Sequence, residues 1–387
     1  MESPDPVRMA PSPVDHALTR DAEAPDAAAA APGATFIGDV MLGRDVGAYT
    51  RPEQLAQALD RLRGSRDLIV NLECCVTEAA RPAAHAHSAF SGSRELLCSL
   101  TAAGVRAANV ANNHALDFGA QGLRDTVEVL DDLGIEVLGM QRSGVPIAPF
   151  RTKLAGRRLA VFGCCALTLP ASFWRAGLLR ATDADLHEAI RQSAARGDAV
   201  VVYVHWGHEM ITVPPPESRQ LARRFAELGV RCIVGHGPHV VQGHERVGGC
   251  DVFYSLGDAV FDRSHVAHRD WGLAVHLDAS PTDLRISHEI FAIQPDAHTP
   301  TPHTDARLET AWRDRVGVLA SAPAYRARYA KEAGAGFFGK QLRETLRLVR
   351  RHGVGGFFTK LRGLRWRHFK LLAYSLRRAN RDAPTSR

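Results

Sequence analysis

The sequence predicts an alternating α/β domain, and three observations carry that expectation. From Ala34 onward, short β-rich runs alternate with segments of helical periodicity. The runs are bounded by glycine-containing turns, such as Ala155-Gly156 and Gly248-Gly249. With 45% hydrophobic residues in a chain of 387, there is material for one large α/β domain with tails as readily as for two domains.

Taken in order, ATFIGDV (34–40) is a strand that ends in Gly-Asp, and residues 52–64 read as a helix. DLIVNLE (67–73) and GVRAANVA (104–111) are apolar runs of strand length; the first ends in Glu73 and the second runs into Asn112-Asn113-His114. Leu123, Val127, Leu130 and Leu133 then fall at helical spacing, with Gly134 as the stop. IEVLG (135–139) follows as a strand, and residues 150–165 read as a hairpin. The second half repeats the theme. Helices over 183–196 and 217–228 alternate with strands DAVVVYVHWG (198–207) and VRCIVGHGPHV (230–240). HERVGGCDVFYSLGDAVF (244–261) reads as one hairpin, and WGLAVHLD (271–278) and LRISHEIFAI (284–293) close the β content. No repeat of fixed period is visible.

No stretch reaches 18 consecutive apolar residues, so no transmembrane helix is expected. Residues 1–33 are rich in Ala, Pro and acids and lack an apolar segment flanked by basic residues. They read as a disordered leader and not as a secretory signal, which points to the cytoplasm. The seven cysteines include two adjacent pairs and no CxxC, so reduced, mostly buried thiols are expected. The net charge of +6 is unevenly spread: residues 331–387 hold 15 Lys/Arg against three Asp/Glu, and the rest of the chain is acidic.

Ligands of alternating α/β proteins sit beyond the carboxyl ends of the strands. Five strand ends here finish in Asp39, Glu73, Asn113-His114, His205 and His236/His239. Each has an ordinary reading of its own: a turn, a helix-capping acid, a packed histidine, an exposed loop. Five such endings on one edge make coincidence a weak explanation. Carboxylate, amide oxygen and imidazole without thiolate suit divalent ions such as Mn²⁺, Fe²⁺, Zn²⁺ or Mg²⁺. A pair of ions would polarise a phosphoryl oxygen, and Asp39 or Glu73 can bridge them because a carboxylate has two oxygens. His114 can protonate a leaving oxygen.

The ordered motifs GDVMLGR, NLE, ANNHALDFGAQG, VHWGHE, GHGPHVVQGHE and YSLGDAVFD resemble the CapA-type (poly-γ-glutamate capsule synthesis protein) branch of the calcineurin-like metallophosphoesterases. The resemblance runs from about Thr35 to Asp262. It implies a four-layer α/β/β/α sandwich of two mixed sheets over residues 34–297, with divalent metal ions, two in number, at the strand ends. It implies Asp39, Glu73, Asn113, His205, His236 and His239 as metal ligands and His114 as the catalytic histidine. Asp117 either caps the following helix or holds His114. Arg44 is either a phosphate clamp or a surface ion pair. Three positions depart from the pattern. Met41 stands where the superfamily has a histidine, Asp258 where the branch usually has Asn, and Gly237 where GHHPH has its second His. The extra carboxylate of Asp258 adds negative charge or a ligand.

Two functions follow from the resemblance: a metal-dependent hydrolase of a phosphate-containing or polymer substrate in capsule metabolism, or a non-catalytic subunit of a membrane-associated polymer synthesis complex. His85 and His87 can reach a substrate, though exposed loop histidines fit as well. Beyond a linker and helical segment over 298–335, residues 336–387 form two basic, amphipathic helical stretches split by Gly353, Gly355 and Gly356. Trp366, Phe357 and Phe358 among these basic residues suit an anionic membrane surface. A helical hairpin packed on the body is the other reading. Nucleic acid is not expected, since no reading motif accompanies the charge.

Overall fold

A computed structural model describes residues 33–334, apart from residues 80, 84, 85, 87, 263–265, 267 and 280–283. The expectations for the leader before Gly33, for His85 and His87 and for the basic segment 336–387 fall outside the described residues.

β1 (Gly33–Val40) is buried along its whole length, as expected of a central strand whose small and apolar residues are interrupted only by Thr35 and Asp39. It leads through α1 (Arg44–Tyr49) and α2 (Pro52–Arg63) to β2 (Asp67–Leu72). α3 (Arg94–Ala102), β3 (Val105–Asn109), α4 (Gly119–Asp132) and β4 (Glu136–Leu138) follow. The second half opens with the hairpin of β5 (Phe150–Leu154) and β6 (Arg157–Cys165) and continues through α5 (Ala171–Arg175). α6 (Ala184–Ala195), β7 (Ala199–His205), α7 (Pro216–Glu227) and β8 (Cys232–His236) come next. β9 (His244–Val247), β10 (Cys250–Phe253), β11 (Asp258–Val260), β12 (Trp271–Ala279), β13 (Leu284–Ile293), β14 (Pro300–Pro302) and α8 (Ala306–Ala320) complete the named elements.

The strands make two mixed sheets. One has the order β14-β13-β12-β1-β2-β3-β4, with β11 paired to the carboxyl end of β1; the other has the order β5-β6-β7-β8-β10-β9. The parallel centres are β1–β4 with β11 in the first sheet and β6, β7, β8 and β10 in the second. Side chains alternate between two apolar faces. In β1, Phe36 packs between the sheets and Ile37 against the helices; in β7, Tyr203 points inward and Val202 outward. The inner layer joins Phe36, Ile69 and Ala107 to Val161, Tyr203 and Val234. Leu55 and Leu59 of α2, Leu97 of α3 and Leu130 of α4 cover the outer face of the first sheet. Leu186 and Ile190 of α6 and Phe225 of α7 cover that of the second. The result is an α/β/β/α sandwich of four layers.

One expected element divides. The run 244–261 is not a single hairpin: β9 and β10 pair antiparallel in the second sheet, and the chain then crosses to the first sheet, where β11 lies parallel to β1. Gly257, at φ +73°, makes the crossing, and its carbonyl oxygen lies where a Cβ on Gly38 would stand, at 1.8 Å. Residues after 297 are built into the sandwich. β14 extends the first sheet, and Trp312 of α8 is buried in the inner layer. Residues 322–334 are helical, and Tyr325 and Tyr329 pack on the outer face of the second sheet. Among the described residues no helix is long and apolar enough to cross a membrane.

Candidate metal centre

The carboxyl ends of the parallel strands of both sheets meet at one place. Asp39, at the end of β1, is fully buried and is fixed by register. Asn71 of β2 pairs with it, and Asn109 of β3 pairs with Asn71. Their side chains form a ladder: Asn109 Nδ2 donates to Asn71 Oδ1 at 3.0 Å, and Asn71 Nδ2 donates to Asp39 Oδ1 at 2.9 Å. Gly139 and Gly163 leave room for Asn109, since a Cβ on either would stand within 2.4 Å of Asn109 Oδ1. From the second sheet, His205 and His236 are register partners on β7 and β8, and their Nδ1 atoms lie 2.9 Å apart. His236 Nδ1 is 3.5 Å from Asp39 Oδ1.

The turn after β8 is shaped by the Gly-His-Gly-Pro-His sequence. Gly237 takes φ +106°, where an added Cβ would meet His205 Nε2 at 2.9 Å, and its N–H donates to Asp39 Oδ2 at 3.1 Å. His239 is held at φ +59°, an uncommon conformation for a residue with a side chain. Its Nδ1 lies 2.9 Å from Asp258 Oδ1 and 3.2 Å from Asp39 Oδ2, while its Nε2 is 3.6 Å from Glu73 Oε1. Asp258 is buried and is paired on its other oxygen with buried Arg269, whose Nε donates at 2.6 Å.

The Asn-Asn-His turn supplies the remaining groups. Asn112 spans it: its Nδ2 donates to Leu72 O at 2.8 Å and its Oδ1 accepts from His114 N at 3.0 Å. That leaves Asn113, whose Oδ1 is buried and without a hydrogen-bond partner. His114 stacks on Phe90 with ring centroids 3.9 Å apart. Its Nδ1 is 2.7 Å from Asp117 Oδ2, and its Nε2 is 3.8 Å from Glu73 Oε1. Asp117 also accepts from Phe90 N at 2.8 Å, and α4 has no side-chain cap. Of the two roles considered for Asp117, holding His114 is the one its contacts match. Arg44 Nε lies 2.8 Å from Asp262 Oδ2, with the guanidinium carbon 5.3 Å from the Phe90 ring centre. Met41 is fully buried in the helix-facing core, and its sulfur accepts from Gly43 N at 3.1 Å.

The electrostatics follow from the dryness of the place. Burial pushes His236 down to about 4 and His205 well below the ordinary histidine range, so both are neutral imidazoles at neutral pH. Burial, with Asp39 and Asp258 nearby, raises the Glu73 carboxyl well above the carboxylate range, against the pull of His239. Burial opposes a charge on His239, but Glu73 and Asp258 outweigh it and raise that imidazole well above its ordinary value. Asp39 is held low: burial works against its charge, and His239, His236 and His205 overcome it.

These residues fit a divalent ion. Asp39, His205 and His236 present ligand atoms that lie within 4.8 Å of one another, and so do Asp39, His239 and Asp258. Both Glu73 carboxylate oxygens, Asn113 Oδ1 and His236 Nε2 are buried without a hydrogen-bond partner, a costly state that a bound cation relieves. All six strand-end residues expected as ligands therefore come to this one region, and His114, Asp117 and Arg44 border it. Sequence reasoning missed Asn71, Asn109, Phe90 and Arg269. The two asparagines carried a signal, since each is a polar residue inside a buried apolar strand.

Fold and site together define a two-sheet α/β sandwich with a metal-competent Asp/Glu/Asn/His cluster at the strand ends. Residues 34–263 match the family described as bacterial capsule synthesis protein PGA_cap, and the chain belongs to that family. It is 30% identical over 284 residues to the PGA biosynthesis protein CapA of Bacillus subtilis, covering 70% of this chain and 72% of that one. It is 27% identical over 288 residues to the capsule biosynthesis protein CapA of Bacillus anthracis, covering 70% and 69%. Among solved structures it has a looser likeness to TT1561 of Thermus thermophilus. The identity there is 14%, the TM-score 0.41, and the coverage 66% of this chain and 98% of that one.

Proposed function

We propose that the chain is a metal-dependent hydrolase of phosphate esters that serves capsule polymer metabolism, the context named for its Bacillus relatives. One observation carries the reading: His114 is tied through Nδ1 to Asp117 at 2.7 Å while its Nε2 faces the unpartnered, buried Glu73 carboxylate. A histidine packed for structure alone has no need of an orienting carboxylate on one nitrogen and a ligand-type carboxylate before the other.

In this reading Asp39, Glu73, Asn113, His205, His236 and His239 hold the ions. When bound, divalent ions supply Lewis acidity toward a phosphoryl oxygen and a source of nucleophile at neutral pH. The chain's own part is orientation and proton transfer. Asp117 fixes the Nδ1 proton of His114, so Nε2 is the nitrogen that gives its proton to the leaving oxygen. Phe90 sets the plane of that ring. Arg44 packs on the same Phe90 while its Nε holds Asp262 at 2.8 Å, so the rest of its guanidinium shares one platform with the proton donor and can meet a phosphate oxygen.

Elemental analysis of protein purified without chelator and supplied with Mn²⁺ tests the first half. Fewer than ~0.2 ion per chain sinks the metal-dependent reading, given the affinity expected of a multi-ligand site. Turnover of p-nitrophenyl phosphate or bis(p-nitrophenyl) phosphate tests the second half. A metal-loaded chain inert toward both favours an assembly subunit of a capsule polymer synthesis complex. Met41 supports that second reading, because a core methionine stands where the superfamily carries a histidine.

For residues 336–387 we infer peripheral contact with an anionic membrane surface, on the strength of their 14 Lys/Arg interleaved with Phe357, Phe358 and Trp366. Co-sedimentation with phosphatidylserine vesicles should fall with added salt and vanish when 336–387 are deleted. Equal binding of the full-length and shortened chains refutes it.

A further inference from the structure

Asp258 poses an electrostatic problem. It is the direct register partner of Asp39 across β11 and β1, and both carboxylates are fully buried. Glu73 adds a third buried carboxyl within 3.6 Å of His239, while Arg269 is, among the described residues, the one buried guanidinium bonded to the group. Three buried carboxyl groups and the His239 imidazole thus crowd their ligand-type atoms into one dry pocket where a single guanidinium binds only one carboxylate oxygen, an arrangement that a bound cation would satisfy.

The geometry shows where that cation fits. Arg269 engages Asp258 through Oδ2 alone, with its Nε at 2.6 Å and a terminal nitrogen at 2.5 Å. Oδ1 is thereby turned toward His239 Nδ1 at 2.9 Å, and His239 Nδ1 is 3.2 Å from Asp39 Oδ2. Neighbouring donor atoms around an octahedral ion with bonds of ~2.1 Å are separated by ~3 Å. The other trio, Asp39, His205 and His236, uses the opposite oxygen of Asp39: His236 Nδ1 is 3.5 Å from Oδ1, and His205 Nδ1 lies 2.9 Å from His236 Nδ1. An independent sign of a ligand is Glu73, fully buried beside His239 with both oxygens unpartnered.

We infer that Asp39, His239 and Asp258 form a second divalent-ion set beside Asp39, His205 and His236, with Asp258 Oδ1 supplying the ligand that the core residue Met41 does not. Arg269 is a positioning residue: by occupying Oδ2 it keeps Asp258 to one ligating oxygen and fixes its direction. The assignment rests on the metal-dependent reading above and extends it to how this chain completes two sets.

Equilibrium dialysis against Mn²⁺ with elemental analysis counts the ions, and electron paramagnetic resonance of the loaded protein reports whether two Mn²⁺ are coupled. Four proteins are compared: wild type, His205→Ala, Asp258→Ala and the paired Asp258→Ala/Arg269→Leu. The paired variant removes both buried charges and so guards against misfolding of the single one. Wild type should bind two coupled ions. His205→Ala and each Asp258 variant should bind one uncoupled ion at saturation, or need at least ~10-fold more Mn²⁺ for the second. Any other pattern in a chain that binds Mn²⁺, including two coupled ions in the paired variant, overturns the assignment and leaves the metal-dependent reading standing. A wild-type chain that binds no Mn²⁺ overturns both.

Discussion

Asp117→Asn isolates the charge that orients His114. The asparagine keeps the volume and an oxygen that can still accept from Phe90 N, now at 2.8 Å from Asp117 Oδ2, so the turn keeps its backbone anchor. What is lost is a charge-assisted hydrogen bond to His114 Nδ1 at 2.7 Å, between a buried carboxylate and a half-buried ring. Such bonds contribute ~1.5–3 kcal/mol, which corresponds to roughly 10- to 150-fold in rate if the bond strengthens as His114 acts. The assay is kcat and KM for a nitrophenyl phosphate ester with Mn²⁺-loaded protein, alongside the ion count. Asp117→Asn should lower kcat by one to two orders of magnitude and leave KM and the ion count unchanged. It should cost little more in a His114→Ala background, because a residue that acts through another has no separate effect once the other is gone. Full activity in Asp117→Asn refutes the reasoning, and so does an equal penalty in both backgrounds.

Three further outcomes are expected. His114→Ala should keep its bound ions but lose hydrolysis by on the order of 10²-fold or more, whereas Asp39→Asn should lose ions and activity together; elemental analysis beside the rate assay distinguishes them. Gly163→Ala should destabilise the fold by ~1–3 kcal/mol in urea unfolding and weaken Mn²⁺ binding, because its Cβ would stand 2.4 Å from Asn109 Oδ1 and disturb the ladder that aims Asp39. In metal-free protein, His236 is depressed from 6.5 to about 4, so the unfolded chain takes up this proton first as pH falls. The stability tied to its neutral form is present above 6.5 and is lost between there and about 4. The loss is ~3 kcal/mol at most and is read from denaturant midpoints at each pH.

Much of this site was legible because each expected ligand ends an apolar run. Asp39, Glu73, His205 and His236 could be read as one edge once the strands were read as parallel. Asn113 and His114 were legible for another reason: no strand or helix wants two asparagines and a histidine together. Their division of labour was not legible, since it depends on Asn112 reaching Leu72 O and His114 N across the turn. Phe90 and Arg269 were hidden by the same cause. Each acts only through a tertiary contact, Phe90 on His114 and Arg269 on Asp258, and neither carries a local pattern.

The most consequential misreading is the run 244–261. Its alternating residues around Gly248-Gly249 have the pattern of one long hairpin, and local propensity has no means of ending it at Phe253. What ends it is the fit between sheets. Tyr254 O accepts from Trp206 Nε1 at 2.7 Å, which fastens the end of β10 to the second sheet. Three residues on, Gly257 turns at φ +73° against Gly38, a contact that no side chain on Gly38 would permit. The strand that begins immediately after is β11, and its first residue is Asp258, in register with Asp39. A continued hairpin would have left that carboxylate on the second sheet, away from its partner. The crossing, set by two glycines far apart in sequence, is what adds a carboxylate from the far end of the domain to the cluster built by β1, β7 and β8.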